Sequence, residues 1–81
     1  MEVSMAREQY VVVSHNGEWK ITYSGKHYGP YMTQGDAMSA AVKAAHEAGV
    51  NGHNGQVLVR GVNNQFITEW TYGHDPYPPK G

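Results

Sequence analysis

The sequence contains no cysteine. That absence excludes disulfide frameworks, thiolate-ligated zinc, iron–sulfur clusters and thiol nucleophiles together, and it fits a reducing compartment. Long apolar runs are missing too: no stretch approaches the roughly 20 residues that a membrane-spanning helix requires. The first residues, Met1-Glu2-Val3-Ser4-Met5-Ala6-Arg7, place an acid at the second position and contain no apolar segment of a secretory signal. The expectation is therefore a soluble, cytoplasmic chain with no membrane partner. Charge is scarce in both signs. Six Lys and Arg stand against seven Asp and Glu, for a formal net charge of -1. The basic residues are scattered singly, without the stripe that binding to duplex nucleic acid usually leaves.

What the chain does have is aromatic surface, with six Tyr, two Trp and one Phe among 81 residues. A chain this short holds one domain and buries only about 60 to 65% of the surface its unfolded form exposes, so a few large side chains and well-made turns must supply its stability. Tyr10-Val11-Val12-Val13 is β-branched and aromatic, and His15-Asn16-Gly17 ends it with a strong two-residue hairpin signal. Trp19, Ile21 and Tyr23 alternate with Lys20 and Thr22, the pattern of a half-buried strand with Trp19 as its foremost core residue. Ser24-Gly25-Lys26 reads as a second tight turn. The extended piece from His27 to Tyr31 follows, and Gly29 and Pro30 either confine it to a sheet edge or leave it irregular.

Thr33 stands where an N-cap is needed, with Asp36 three residues on at the positive end of the helix dipole. Ala37, Met38, Ala41, Val42 and Ala45 then recur at helical spacing, and Gly49 is placed to terminate. The alanine-lined face predicts close approach to a sheet. After the glycine-rich turn from Gly49 to Gly55, Val57 and Val59 alternate up to Arg60. Gly61-Val62-Asn63-Asn64 supplies a turn, and the last strand runs from Phe66, a second expected core residue, to Thr71. The expected fold is α+β: a small antiparallel sheet of four to five strands, in the order β-β-(β)-α-β-β, with one helix packed on one face. Residues 1–8 are expected to be a flexible lead, 9–71 the domain, and 72–81 an extended tail rich in proline and aromatics, either packed across the domain or free.

Four runs, NGEWKITYSGK, TQGDAMSAAVKAAHEAG, VLVRGVNNQFITE and above all the ending TYGHDPYPPKG, give residues 10–81 a resemblance to the domain-of-unknown-function family numbered 2188, short bacterial and phage proteins. The resemblance implies the fold and a bacterial or phage origin, and it carries over no activity and no site residues. Members of the family often have a charged helix and a charged turn where this chain has alanines and Asn63-Asn64, so no shared charged surface is implied.

Five histidines, at positions 15, 27, 46, 53 and 74, invite a metal, but none of their spacings is that of a ligand pair, and no metal or cofactor is expected. His53-Asn54 and His74-Asp75 lack a third group to complete a catalytic constellation, and Ser4, Ser14, Ser24 and Ser39 all lie outside any nucleophile-elbow sequence. The glycine-rich turn follows the helix instead of preceding one and lacks the Lys-Ser/Thr of a phosphate loop. The leading expectation is a non-enzymatic protein-binding module. Among its promising tyrosines and tryptophans, including Tyr23, the contact set is Tyr28, Tyr31, Trp70, Tyr72 and Tyr77. Its partner would be another protein or a second copy paired along a free sheet edge. By analogy of size with small phage inhibitors such as anti-CRISPR proteins, a bacterial defence or host protein would suit. The alternative is a nucleic-acid binder in which Lys20, Lys26, Arg60 and Lys80 meet phosphates while exposed tyrosines stack on bases.

Overall fold

A computed structural model of the chain describes residues 7–61 and 65–79. Its elements are β1 (Arg7–His15), β2 (Glu18–Tyr23), β3 (Lys26–Tyr31), α1 (Gln34–Val50), β4 (Asn54–Arg60) and β5 (Phe66–Thr71). Both early hairpins turn through consecutive residues of positive φ, Asn16-Gly17 at 54° and 78° and Ser24-Gly25 at 52° and 78°. That backbone matches the right-handed twist of the flanking strands. At the helix start, the Thr33 hydroxyl accepts the Asp36 backbone N–H at 3.0 Å, so the cap forms as its residues predict. The expected turn at residues 61–64 falls largely, and the expected lead at residues 1–8 mostly, outside the described residues. Arg7 and Glu8, however, belong to β1, where they pair with Asn54 and Gly55.

The five strands form one sheet in the order β3-β2-β1-β4-β5, with α1 on one face. The α+β class and the element order are those expected, and the third strand is formed, at a sheet edge. One correction concerns strand direction: β1 and β4 pair in parallel, while the other three pairs are antiparallel, so the sheet is mixed. The reason is the third strand. Three strands joined by hairpins leave β3 running in the direction of β1, and α1 carries the chain back to the starting end, so β4 must run as β1 does.

The core lies between α1 and the sheet, with Val12, Ile21, Val57, Val59 and Trp70 meeting Ala37, Ala41, Val42 and Ala45. The two aromatic assignments at the ends of β5 come out differently from expectation. Phe66, expected in the core, is 57% exposed, whereas Trp70, expected on a contact surface, is 3% exposed. In a regular strand the two share a face. A register shift opposite Val57 and Leu58 sets Trp70 against Val57 on the helix side and Phe66 against Arg60 on the other. Trp19 is half-buried and packs at the edge of the core.

Gly49 also has a role other than the expected one. The helix continues to Val50, and Gly49 is buried within it, because an added Cβ would overlap the ring of Tyr72. Tyr72 belongs to a tail that folds back over the domain. Its N–H donates to the Gly55 carbonyl at 2.9 Å, the Trp70 indole N–H donates to the Pro76 carbonyl at 2.9 Å, and Asp75 accepts the Thr71 N–H at 2.8 Å. Tyr77 then stacks on His46 of α1, centroids 3.8 Å apart.

A Gly-to-Ala change in a solvent-facing helix turn stabilises by about 1 kcal/mol. Gly49→Ala is expected to do the reverse and destabilise by about 1–3 kcal/mol, since the Tyr72 ring must be displaced. Urea unfolding followed by tryptophan fluorescence measures the sign.

Candidate functional site

An α-helix is about 10 Å across and neighbouring strands are about 4.8 Å apart, so one helix covers two or three strands of a sheet. Here α1 lies chiefly over β4 and β1. The β5 flank is closed by Tyr72 and the tail. On the β2–β3 flank no further element among the described residues covers the helix side of the sheet, and a cleft of about 310 Å³ remains, lined by Tyr10, Ile21, Tyr23, Tyr28, Tyr31, Ala40 and Ala44.

Strand alternation places these rings. Tyr10 is two residues from buried Val12 on β1, Tyr23 is two from buried Ile21 on β2, and Tyr28 pairs with Ile21 across β2 and β3. Opposite them, Ala40 and Ala44 are one helical turn apart and keep the helix wall low. Tyr10 and Tyr23 stack on each other, centroids 4.3 Å apart and 9° from parallel. The Tyr23 hydroxyl donates to Glu8 Oε1, and the other oxygen of that carboxylate is 3.9 Å from His53 Nδ1.

The electrostatics follow from Glu8. Its carboxylate accepts the Tyr23 proton in a hydrogen bond and, with burial and Tyr10 adding to the effect, holds the Tyr23 phenol well above its ordinary value. Burial raises the Tyr10 phenol, and the negative charges of Glu8 and Glu47 act in the same direction, against a hydrogen bond to Tyr23. Tyr10 and Tyr23 thus keep their protons through neutral pH and form an electron-rich stack with a carboxylate at its edge.

The contact set expected from sequence divides. Tyr28 and Tyr31 come together in the cleft. Trp70 is core and Tyr72 is half-buried against Gly49, so both are structural, and Tyr77 is spent on His46 at the opposite flank of α1. Sequence reasoning assigned no site role to Tyr10, Ala40 or Ala44 and left Tyr23 outside the contact set. The readable signal for the alanines was their four-residue spacing on a face beside the core stripe.

The helix-free face of the sheet carries a second concavity, of about 360 Å³, lined by Val11, Val13, His15, Lys20, Thr22, His27, Arg60 and Phe66, with no carboxylate among them. Lys20 and Arg60 of the expected phosphate-binding set converge there. Lys26 does not, because it pairs with Tyr23 and projects on the other face, and Lys80 lies outside the described residues. Among the described residues no group of three or more acidic or histidine side chains could hold a metal ion, and no helix is long and apolar enough to cross a membrane.

A family described as "Uncharacterized protein conserved in bacteria (DUF2188)" matches residues 9–72. No curated protein and no solved structure matches the chain.

The Tyr23–Glu8 bond has a testable sign. A phenol held above its unfolded value contributes stability that is complete below about pH 10 and is lost as pH rises through the folded value. Tyr23→Phe is expected to cost about 1 kcal/mol at pH 7 and to show a smaller further loss above pH 10 than the parent chain. Unfolding free energies measured from pH 7 to 11 compare the two.

Proposed function

We propose that this chain, which belongs to the DUF2188 family of bacterial proteins, is a non-catalytic protein-binding module whose contact site is the tyrosine cleft between α1 and the β2–β3 flank. The observation that carries the reading is the cleft itself: four tyrosines and three aliphatic residues form a concavity beside edge strand β3, and no element among the described residues is laid over it. Tyrosine presents a large rigid ring at a small entropic cost together with a polar tip, which is why it is enriched where proteins meet. Tyr28, at 44% exposure, stands at the rim, where a partner would touch it first. A binding module of this kind acts by occupying a partner's surface, with no chemistry of its own, and an inhibitor of a bacterial defence or host enzyme is one protein that works in this way.

The test compares two surfaces of one fold. Ala44→Leu fills the cleft from the helix side, and Phe66→Ala trims the helix-free face. Partner capture from nuclease-treated bacterial lysate, scored by a stoichiometric band, is expected to fall at least about tenfold in Ala44→Leu, the equivalent of 1.4 kcal/mol, and to persist in Phe66→Ala. Loss in Phe66→Ala alone moves the interface to the other face.

A second reading is favoured by the convergence of Lys20 and Arg60 on a concavity whose lining holds no carboxylate. On that reading the helix-free face binds single-stranded nucleic acid, with the Phe66 ring as a stacking platform. Two phosphate contacts give a slope of about -1.4 in log affinity against log salt. Lys20→Ala with Arg60→Ala is expected to abolish that dependence in a fluorescence-anisotropy titration with an oligonucleotide.

A further inference from the structure

We propose that the tyrosine cleft receives one cationic side chain of the partner, a lysine ammonium whose affinity rises on methylation. This rests on the reading of the cleft as a protein-binding site and names what enters it.

Size is the first argument. A cleft of about 310 Å³ is at the lower end of the range for small-ligand pockets, roughly 300–1,000 Å³, and suits one long side chain better than a folded segment. The second argument is the order of its chemistry. Ile21, Ala40 and Ala44 offer aliphatic surface for a four-carbon stem, while the lining holds four tyrosine rings, Tyr10 and Tyr23 with one face each taken by their mutual stack, whose remaining negative π-faces attract an ammonium group. Charge is the third. Among the described residues no lysine or arginine lines the cleft, and Lys26 is exposed at the turn opposite Tyr23. Glu8 lies behind the Tyr10–Tyr23 stack with its carboxylate on the Tyr23 hydroxyl, and its charge, with that of Glu47, is felt at Tyr10. A cation is therefore favoured by the rings and by the carboxylates whose charge reaches them. An anion meets both as repulsion, and a neutral apolar group gains only from the aliphatic wall.

Methylation sharpens the argument. An ammonium group is strongly hydrated and must give up water to sit against rings, whereas a trimethylammonium group keeps its charge, loses its N–H donors and spreads its charge over methyl groups that pack on aromatic faces. The ordering expected on chemical grounds is trimethylated lysine above lysine, and both above a neutral isostere.

The experiment titrates the full chain with N-acetyl-lysine methylamide, its trimethylated form, and the neutral carbon analogue in which tert-butyl replaces trimethylammonium. Shifts of the Tyr10, Tyr23, Tyr28 and Tyr31 ring signals report on the cleft, and those of Phe66 on the helix-free face. The expected result is saturable movement of the cleft signals, with the trimethylated probe about tenfold tighter than its neutral analogue, the ratio that a desolvated cation–π contact supports. Tyr28→Phe, which keeps the ring, is expected to bind within about twofold of the parent, and Tyr28→Leu to lose most of the preference for charge. Tyr28 is at the exposed rim, so neither change removes core packing. Equal binding of the charged and neutral probes overturns the inference, as does movement of the Phe66 signals alone or no movement at millimolar probe. If Ala44→Leu still abolishes partner capture in any of those cases, the cleft remains a protein-binding site and only its cationic occupant is wrong. If cationic probes bind the cleft while partner capture is indifferent to Ala44→Leu, the interface assignment fails and the cation site stands.

Discussion

The feature on which the rest of the structure depends is a mismatch of widths. Five strands make a sheet far wider than one helix can cover, and the chain deals with each uncovered region differently. On the β5 side the tail closes the gap, with the Trp70 indole bonded to Pro76 and Tyr77 laid on His46. On the β2–β3 side the tyrosines narrow the gap without filling it. The helix-free face is left to Val11, Val13 and the long side chains of Lys20 and Arg60, whose aliphatic stems can shield valines while their charges stay in water.

Close approach of helix and sheet makes this arrangement hold. The helix contributes mostly alanines to the core, so its axis lies near the strands, and two glycines mark where it comes nearest. At Gly55 a side chain would collide with the Ala45 carbonyl, and at Gly49 with the Tyr72 ring. Val12, Val57 and Trp70 are buried beneath so thin a helix, and burial of this kind is the main apolar stabilisation open to a domain of this size. The same thinness explains the cleft, because Ala40 and Ala44 continue the low wall beyond the core, opposite Ile21 and the tyrosines.

Several parts of this design are legible in the residues alone. Asn16-Gly17 and Ser24-Gly25 mark their turns because few other pairs accept two successive positive φ values. Thr33 and Asp36 mark the helix start because a cap needs a side-chain oxygen at that spacing. Ala37, Ala41 and Ala45 mark the buried face, and Tyr28 with Tyr31 gave two of the four tyrosines of the candidate cleft. These are local matters, governed by contacts within a turn or by alternation within one strand.

Tertiary structure decided what depends on residues far apart in the chain. The parallel pairing of β1 with β4 follows from counting completed strands, which requires knowing that Lys26–Tyr31 pairs at all. The exchange of places between Phe66 and Trp70 comes from a bulge set by the partner strand, and no pattern within β5 announces it. Gly49 reads as a terminator until Tyr72 is seen lying on it. The joining of Tyr10 and Tyr23 to Tyr28 and Tyr31, and the separation of that group from Tyr77, required the helix to be set over β1 and β4. Local sequence determined which elements form and, outside the bulged β5, which face each buries, because those depend on neighbours along the chain. Where the uncovered surface would fall was decided only by how a narrow helix came to rest on a wide sheet.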